Sequence, residues 1–235
     1  MKKKTQQKKK IKSDRVFEES YFEGYYRKMV GDFSLTDLEK AVNWFWGWIH
    51  FVDRYLDLKK GKGKKILEVG CSIGGAAKIF QERGFKVYAS DISELAIEKA
   101  QLNLPRITFF TWDVEKKLSI NEQFDVIFGF EVIEHLPDPL KALKNIRNGL
   151  KSNGKVVFST PFPYEYVYRD PTHISVKAPH EWLKIFEKAG YSDIRLQPAT
   201  FLPLLYKFSK IFSMGFPFTV NNRYFNSTLF IIAKK

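Results

Sequence analysis

Residues 64–91, KKILEVGCSIGGAAKIFQERGFKVYASD, constrain the fold of this chain more than any other stretch. Ile66, Leu67 and Val69 form a short apolar run, the pattern of a strand buried on both faces of a parallel sheet. The run ends in a glycine-rich turn at residues 70–75. Ala76, Ala77, Ile79 and Phe80 then put small and apolar groups along one side of a helix, and Gly84 stops it. Residues 85–89 read as a second strand, with Asp91 just past its tip. Strand, tight turn, helix and strand make half of a doubly wound sheet. Ligands of such sheets bind beyond the carboxyl ends of the strands.

The spacing within the turn discriminates between ligands. A dinucleotide fingerprint needs Gly-x-Gly-x-x-Gly, so that a pyrophosphate can approach the helix N-terminus. Here the turn is Gly70-Cys71-Ser72-Ile73-Gly74-Gly75, and Glu68 stands two residues before its first glycine. An anion there repels a pyrophosphate, which disfavours a nicotinamide dehydrogenase. It suits a ligand bearing positive charge, such as an ammonium or a sulfonium, while Asp91 is suited to accept from ribose hydroxyls.

Residues 66–74 resemble the first motif of class I S-adenosylmethionine-dependent methyltransferases, hydrophobic-hydrophobic-Glu/Asp-hydrophobic-Gly-x-Gly-x-Gly, with Ser72 in place of the middle glycine. The resemblance extends over about residues 64–233. It implies an α/β fold, a doubly wound, seven-stranded, mostly parallel Rossmann-like sheet with the last strand antiparallel beside the sixth. It also implies S-adenosylmethionine as cofactor, with Glu68, Gly70, Ser72 and Gly74 shaping its methionine side. Asp91 would hold the ribose, Asp113 and Val114, after a third strand at 106–111, would meet the adenine, and Ile92 and Glu131 would complete the cofactor-binding set.

A fourth strand, 124–130, leads into Glu131-Val-Ile-Glu-His-Leu-Pro137, which resembles the same segment of ubiquinone-biosynthesis O-methyltransferases and related small-molecule enzymes. His135 lies past the strand tip, and an imidazole titrates close to neutral when unperturbed. It is the first candidate for general base or substrate orienter, with Glu134 and Glu131 to orient it or touch substrate. Glu-x-x-Glu-His also offers three ligands to a divalent metal that chelates vicinal hydroxyls, as in the resembling quinone and RNA-terminal ribose enzymes; a helix cap is the plainer alternative, and no metal is assigned. Within Asp170-Pro-Thr-His, His173 is the better substrate-site candidate, and His180 belongs to a helix start.

The flanks suggest three units. Residues 1–15 read as a disordered tail: seven lysines precede the first acid, Asp14, in a chain of net charge +13. The tail is read as solubilising, with nucleic acid or an anionic membrane as alternative partners; no aromatic residues are interleaved for base stacking. Residues 16–60 read as a helical cap, with a weak capping box at Thr36 and Glu39. Trp44, Trp48, Phe51 and Tyr55 share one helical face, which packs on the sheet, closes over substrate, or lies on a membrane surface. Residues 61–235 form the cofactor-binding domain, with an apolar connection at about 201–220. That connection reads as a helical insertion walling the pocket or making a dimer contact, with peripheral membrane contact as runner-up. The single cysteine, Cys71, excludes an intramolecular disulfide and a cysteine metal site and points to a reducing cytoplasm. No run is long enough to span a membrane. The expected activity is methyl transfer to a small organic acceptor, at oxygen before nitrogen or carbon. Its rivals are an RNA methyltransferase recruited by the tail and a cofactor-binding protein without turnover.

Overall fold

The computed structural model describes residues 38–202 and 205–235. The lysine tail, the first part of the cap with Thr36, and Leu204 of the apolar connection lie outside the described residues. Helix α1 (Leu38–Val52) precedes β1 (Lys65–Val69), α2 (Gly75–Glu82), β2 (Lys86–Asp91), α3 (Glu94–Asn103) and β3 (Thr108–Thr111). Then follow β4 (Phe124–Gly129), α4 (Pro139–Asn148), β5 (Leu150–Pro161), α5 (Pro179–Lys188), β6 (Ser192–Phe201), β7 (Gly215–Phe216) and β8 (Asn226–Lys234).

The strands form one sheet in the order β3-β2-β1-β4-β5-β8-β6-β7. Strands β1 to β5 pair in parallel, and β8 runs antiparallel between β5 and β6. The expected sheet of seven is thus present; the eighth strand is β7, which pairs two residues with β6. Strand order reverses between β1 and β4, so the loops leaving their carboxyl ends diverge and open a crevice between them. The glycine turn follows β1 and the Glu131 string follows β4, so both border that crevice.

Side chains alternate across the sheet, as the two-residue strand period requires. Ile66, Val87, Ala89, Val126, Phe128 and Phe230 pack under α1, α2 and α3. Leu67, Val69, Tyr88, Ile127, Phe158 and Ile231 pack under α4 and α5. Ser93 caps α3, accepting from Ala96 N at 3.2 Å, and Asp138 with Pro139 opens α4.

Helix α1 packs on the sheet, as the plainest of its three readings expects. Trp48 is fully buried, its ring 5.0 Å from Phe201 and 5.6 Å from both Phe130 and Phe230. Arg83 at the end of α2 grips Asp53 through both terminal nitrogens, at 2.9 and 3.0 Å, and donates to Leu58 O. Trp46, off the buried face, stacks on His50.

The 201–220 connection departs from expectation. Strand β6 continues through Phe201, and the described residues beyond it form turns, one 3-10 turn at Lys210–Phe212 and β7, not a helix. Pro217 lacks an N–H for a helical ladder, and Ser209 accepts from Ile211 N, closing a single turn in its place. No helix among the described residues is long and apolar enough to cross a membrane.

Trp48→Ala should remove the largest side chain of the α1 core and leave a cavity. Urea unfolding is expected to lose about 3–5 kcal/mol; a loss below about 1 kcal/mol would mean that α1 is not a core element.

Candidate active site

The turn after β1 is built from left-handed backbone. Gly70, Ser72 and Gly74 have φ of 70°, 48° and 84°. A Cβ on Gly70 would lie 2.5 Å from Val132 Cγ2, so glycine there lets the turn approach the loop after β4. Ser72 occupies the left-handed region without glycine's freedom, at a cost of about 1–2 kcal/mol. Its amide donates to Asp91 Oδ2 at 2.8 Å, and Asp91 Oδ1 accepts from Ser93 N at 3.0 Å. Asp91 therefore fastens the turn to the tip of β2. Burial raises its carboxyl above the ordinary value, against the pull of the Ser93, Ser72 and Ile92 amides. Each oxygen keeps acceptor capacity for a ligand.

Glu68 is 3% exposed, and its Oε2 has no hydrogen-bond partner. Burial pushes its carboxyl well up, and the nearby Asp91 charge adds to this. A buried carboxylate oxygen left unpaired is costly, and a cationic ligand group would relieve it. The donor set of turn, Glu68 and Asp91 thus fits a nucleoside sulfonium. Ile92 leaves an apolar surface exposed at the β2 tip. Burial raises the Cys71 thiol, in keeping with a packing role.

The expected adenine pair is less open. Asp113 Oδ1 accepts from Glu115 N at 3.0 Å, and Oδ2 lies 3.3 Å from Lys116 Nζ. The Val114 side chain is buried in the core with Ala142, Leu143 and Ile146 of α4. Only its main chain remains for a ligand, and its carbonyl already accepts from Asn145.

The loop after β4 carries the second cluster. Glu131 has φ 55°; its amide donates to Ser159 Oγ at 2.9 Å, and Ser159 donates back to Oε1 at 2.9 Å. Thr228 Oγ1 lies 3.1 Å from the same oxygen. Burial raises the Glu131 carboxyl to about 7, with the Ser159 and Thr228 hydroxyls acting against it. Glu131 lines a cavity of about 350 Å³ with Trp44, Tyr166, Asp170, His173 and Tyr206, and Lys207 and Arg223 stand among its other walls. None of Gly70, Ser72 and Gly74 is among the residues lining that cavity.

Glu134 is fully buried, and neither carboxylate oxygen has a hydrogen-bond partner. Burial, then the Glu131 charge, raises it well above the ordinary value. His135 Nδ1 is 3.0 Å from Thr172 O, and His173 Nδ1 is 2.9 Å from Val167 O. Carbonyl partners place the proton of each neutral ring on Nδ1 and turn the Nε2 sides toward carboxylates. His135 Nε2 is 3.8 Å from Glu134 Oε1, and His173 Nε2 is 3.6 Å from Asp170 Oδ2. The two rings lie 4.9 Å apart. Burial, then the neighbouring His173, lowers His135 to about 4, so it is neutral at pH 7.

Ligand atoms of Glu134, His135 and His173 all lie within 4.8 Å of one another. That convergence fits a shared proton or a cation. Two imidazoles with carboxylates suit a first-row transition ion better than magnesium. His180, exposed at the start of α5, is outside this cluster.

Sequence reasoning missed the clamp on Glu131. Ser159 and Thr228 meet only because β5 and β8 pair antiparallel, a contact without a local signal. Asp170 was within a recognised string but without a role. Tyr206 comes to the cavity from the connection read as a helix, and Arg223 from just beyond it.

A family model described as a methyltransferase domain matches residues 45–196. A ubiquinone biosynthesis O-methyltransferase of Coxiella burnetii (strain Dugway 5J108-111) is 33% identical over 119 residues, 48% of each chain. Its counterpart in Ruegeria sp. is 27% identical over 173 residues, 63% of this chain and 68% of that one. The chain spans about half the length of the first curated relatives it matches. A SAM-dependent methyltransferase structure from Archaeoglobus fulgidus aligns with TM-score 0.62 at 20% identity, covering 90% of this chain and 98% of that one. Phosphoethanolamine N-methyltransferase 2 of Haemonchus contortus, in complex with S-adenosyl-L-methionine, aligns with TM-score 0.61 at 19% identity, covering 89% and 60%.

If a cation joins the histidine cluster, Mn²⁺ or Co²⁺ should raise the thermal midpoint of the wild type by several degrees. His135→Ala combined with His173→Ala should abolish the rise. No response of the wild type to Mn²⁺, Co²⁺, Zn²⁺ or Mg²⁺ would assign the convergence to a shared proton.

Proposed function

We propose that this chain, which belongs to the class I S-adenosylmethionine-dependent methyltransferases, methylates an oxygen of a small organic acceptor held in the cavity beside Glu131. Family membership carries cofactor use and reaction class. The acceptor is our reading, and the observation behind it is the cavity itself. Its roughly 350 Å³ are those of a small-molecule site, and Glu131 and His173 both line it. Relatives named as O-methyltransferases support oxygen as the acceptor atom.

When bound, S-adenosylmethionine supplies an electrophilic methyl carbon on a good leaving group. The protein has to hold the acceptor oxygen in line with that carbon and receive the hydroxyl proton. Glu131, with its carboxyl raised to about 7, is poised to take a proton near neutral pH. This moves the base from His135, the first sequence candidate, to Glu131. His135 is absent from the cavity lining, and with its pKa lowered to about 4 it is a weak base. His173 faces the acceptor, and Glu134 and His135 act from behind it as positioning residues. Glu134, His135 and His173 are also the residues that would hold a divalent cation, whose chemistry would be to acidify an acceptor hydroxyl.

An RNA acceptor is less favoured by a cavity of this size than by an open cationic groove, and it predicts activity that falls steeply with salt. Glu131→Gln should lower kcat by about 10²–10⁴ with cofactor affinity preserved. The assay is transfer of labelled methyl to a panel of catechols, vicinal diols and hydroxy acids. Unchanged kcat would remove Glu131 from the reaction, and product labelled at nitrogen, carbon or RNA would overturn the acceptor reading.

A further inference from the structure

The segment after β6 presents a surface that methyl transfer does not require. Phe208 is 82% exposed, Tyr224 67%, Ile211 63%, and Leu205, Met214 and Phe218 each stand about half out of the protein. Scattered apolar residues on a surface are ordinary; several large ones on one short segment mark an interaction face. The segment is fastened to the body. Ser213 Oγ donates to Trp44 O at 2.8 Å, Thr200 Oγ1 to Phe218 O at 2.7 Å, and Tyr164 OH to Thr219 Oγ1 at 2.8 Å. Its apolar side chains are therefore held outward by a built scaffold.

The charge of this region is one-sided. Residues 205–224 contain no aspartate or glutamate, and their cations are Lys207, Lys210 and Arg223. Lys207 and Arg223 reach the same cavity from opposite ends of the connection, next to Tyr206 and Tyr224, so the exposed face borders the cavity mouth. Large apolar groups interleaved with cations are what an anionic bilayer selects: the first enter the headgroup–acyl boundary and the second meet the phosphates.

We propose that the face formed by residues 205–224 docks on an anionic lipid surface, with the cavity mouth turned toward the membrane. Charge complementarity chooses this occupant. A second copy of the chain would set like charges against each other, and the lysine-rich residues 1–15 would be repelled. An RNA backbone would match the cations and leave Phe208, Ile211 and Met214 without a partner. The seven lysines before Asp14 are a second cationic signal of the kind that stable peripheral attachment needs. The docking does not rest on the acceptor reading.

The test is sedimentation of the full chain with vesicles of phosphatidylcholine alone or with about a third phosphatidylglycerol. Wild type should bind the anionic vesicles about tenfold or more tightly than the neutral ones, and less so in high salt. Phe208→Ser combined with Ile211→Ser should weaken that binding about tenfold or more. Calorimetric affinity for S-adenosylmethionine should stay the same, which establishes that the variant is folded. Absence of anionic-vesicle binding, equal binding to neutral vesicles, or full binding by the double variant would each overturn the proposal. So would a wild-type dimer that the double variant dissociates while vesicles are ignored, or an RNA oligonucleotide bound in their place.

Discussion

The bonds from Ser72 N and Ser93 N to the Asp91 carboxylate hold this site together. They fix a turn containing three left-handed residues against the tip of the neighbouring strand. Without them the strain at Ser72 has nothing to offset it, and the turn loses its hold on β2. Glu68 lies on β1 just ahead of that turn, buried with one oxygen unpaired. Fold and cofactor chemistry meet at Asp91: the group suited to ribose is the group that locks the loop around it.

The second half of the site depends on a different principle. Five titratable side chains from the loop after β4 and the loop after β5 are gathered here, and burial opposes the charged forms of Glu131, Glu134 and His135. Backbone carbonyls settle the histidine orientations, and hydroxyls from β5 and β8 hold Glu131. The outcome is a graded set, with His135 neutral, Glu131 near neutrality, and Glu134 far above the ordinary carboxylate range. Environments that push neighbouring groups apart in this way are what the proposal of Glu131 as proton acceptor rests on.

What could be read in the sequence was what is local. The run Ile66 to Val69, the glycines after it and the acid after the second strand each carry a short-range physical signature, and together they fix strand, turn and helix. Alternation and apolar runs likewise marked the strands that build the sheet. The histidine string was visible as chemistry, but its division of labour was not, because burial of His135 and exposure of Glu131 to the cavity depend on distant strands. The 201–220 connection misled for a related reason. Its apolar residues recur as on a helix, yet Pro217 and the pairing of Gly215–Phe216 with Thr200 and Phe201 override that period.

The central claim is that the glycine turn, Glu68 and Asp91 form a S-adenosylmethionine site. Calorimetric titration with S-adenosylmethionine and, separately, with its demethylated product, comparing wild type and Asp91→Ala, tests this most directly. The account predicts that wild type binds both ligands and that the variant binds each at least about tenfold more weakly, through loss of charged hydrogen bonds to ligand and turn together. Failure of wild type to bind either ligand, or equal affinity in the variant, would contradict it.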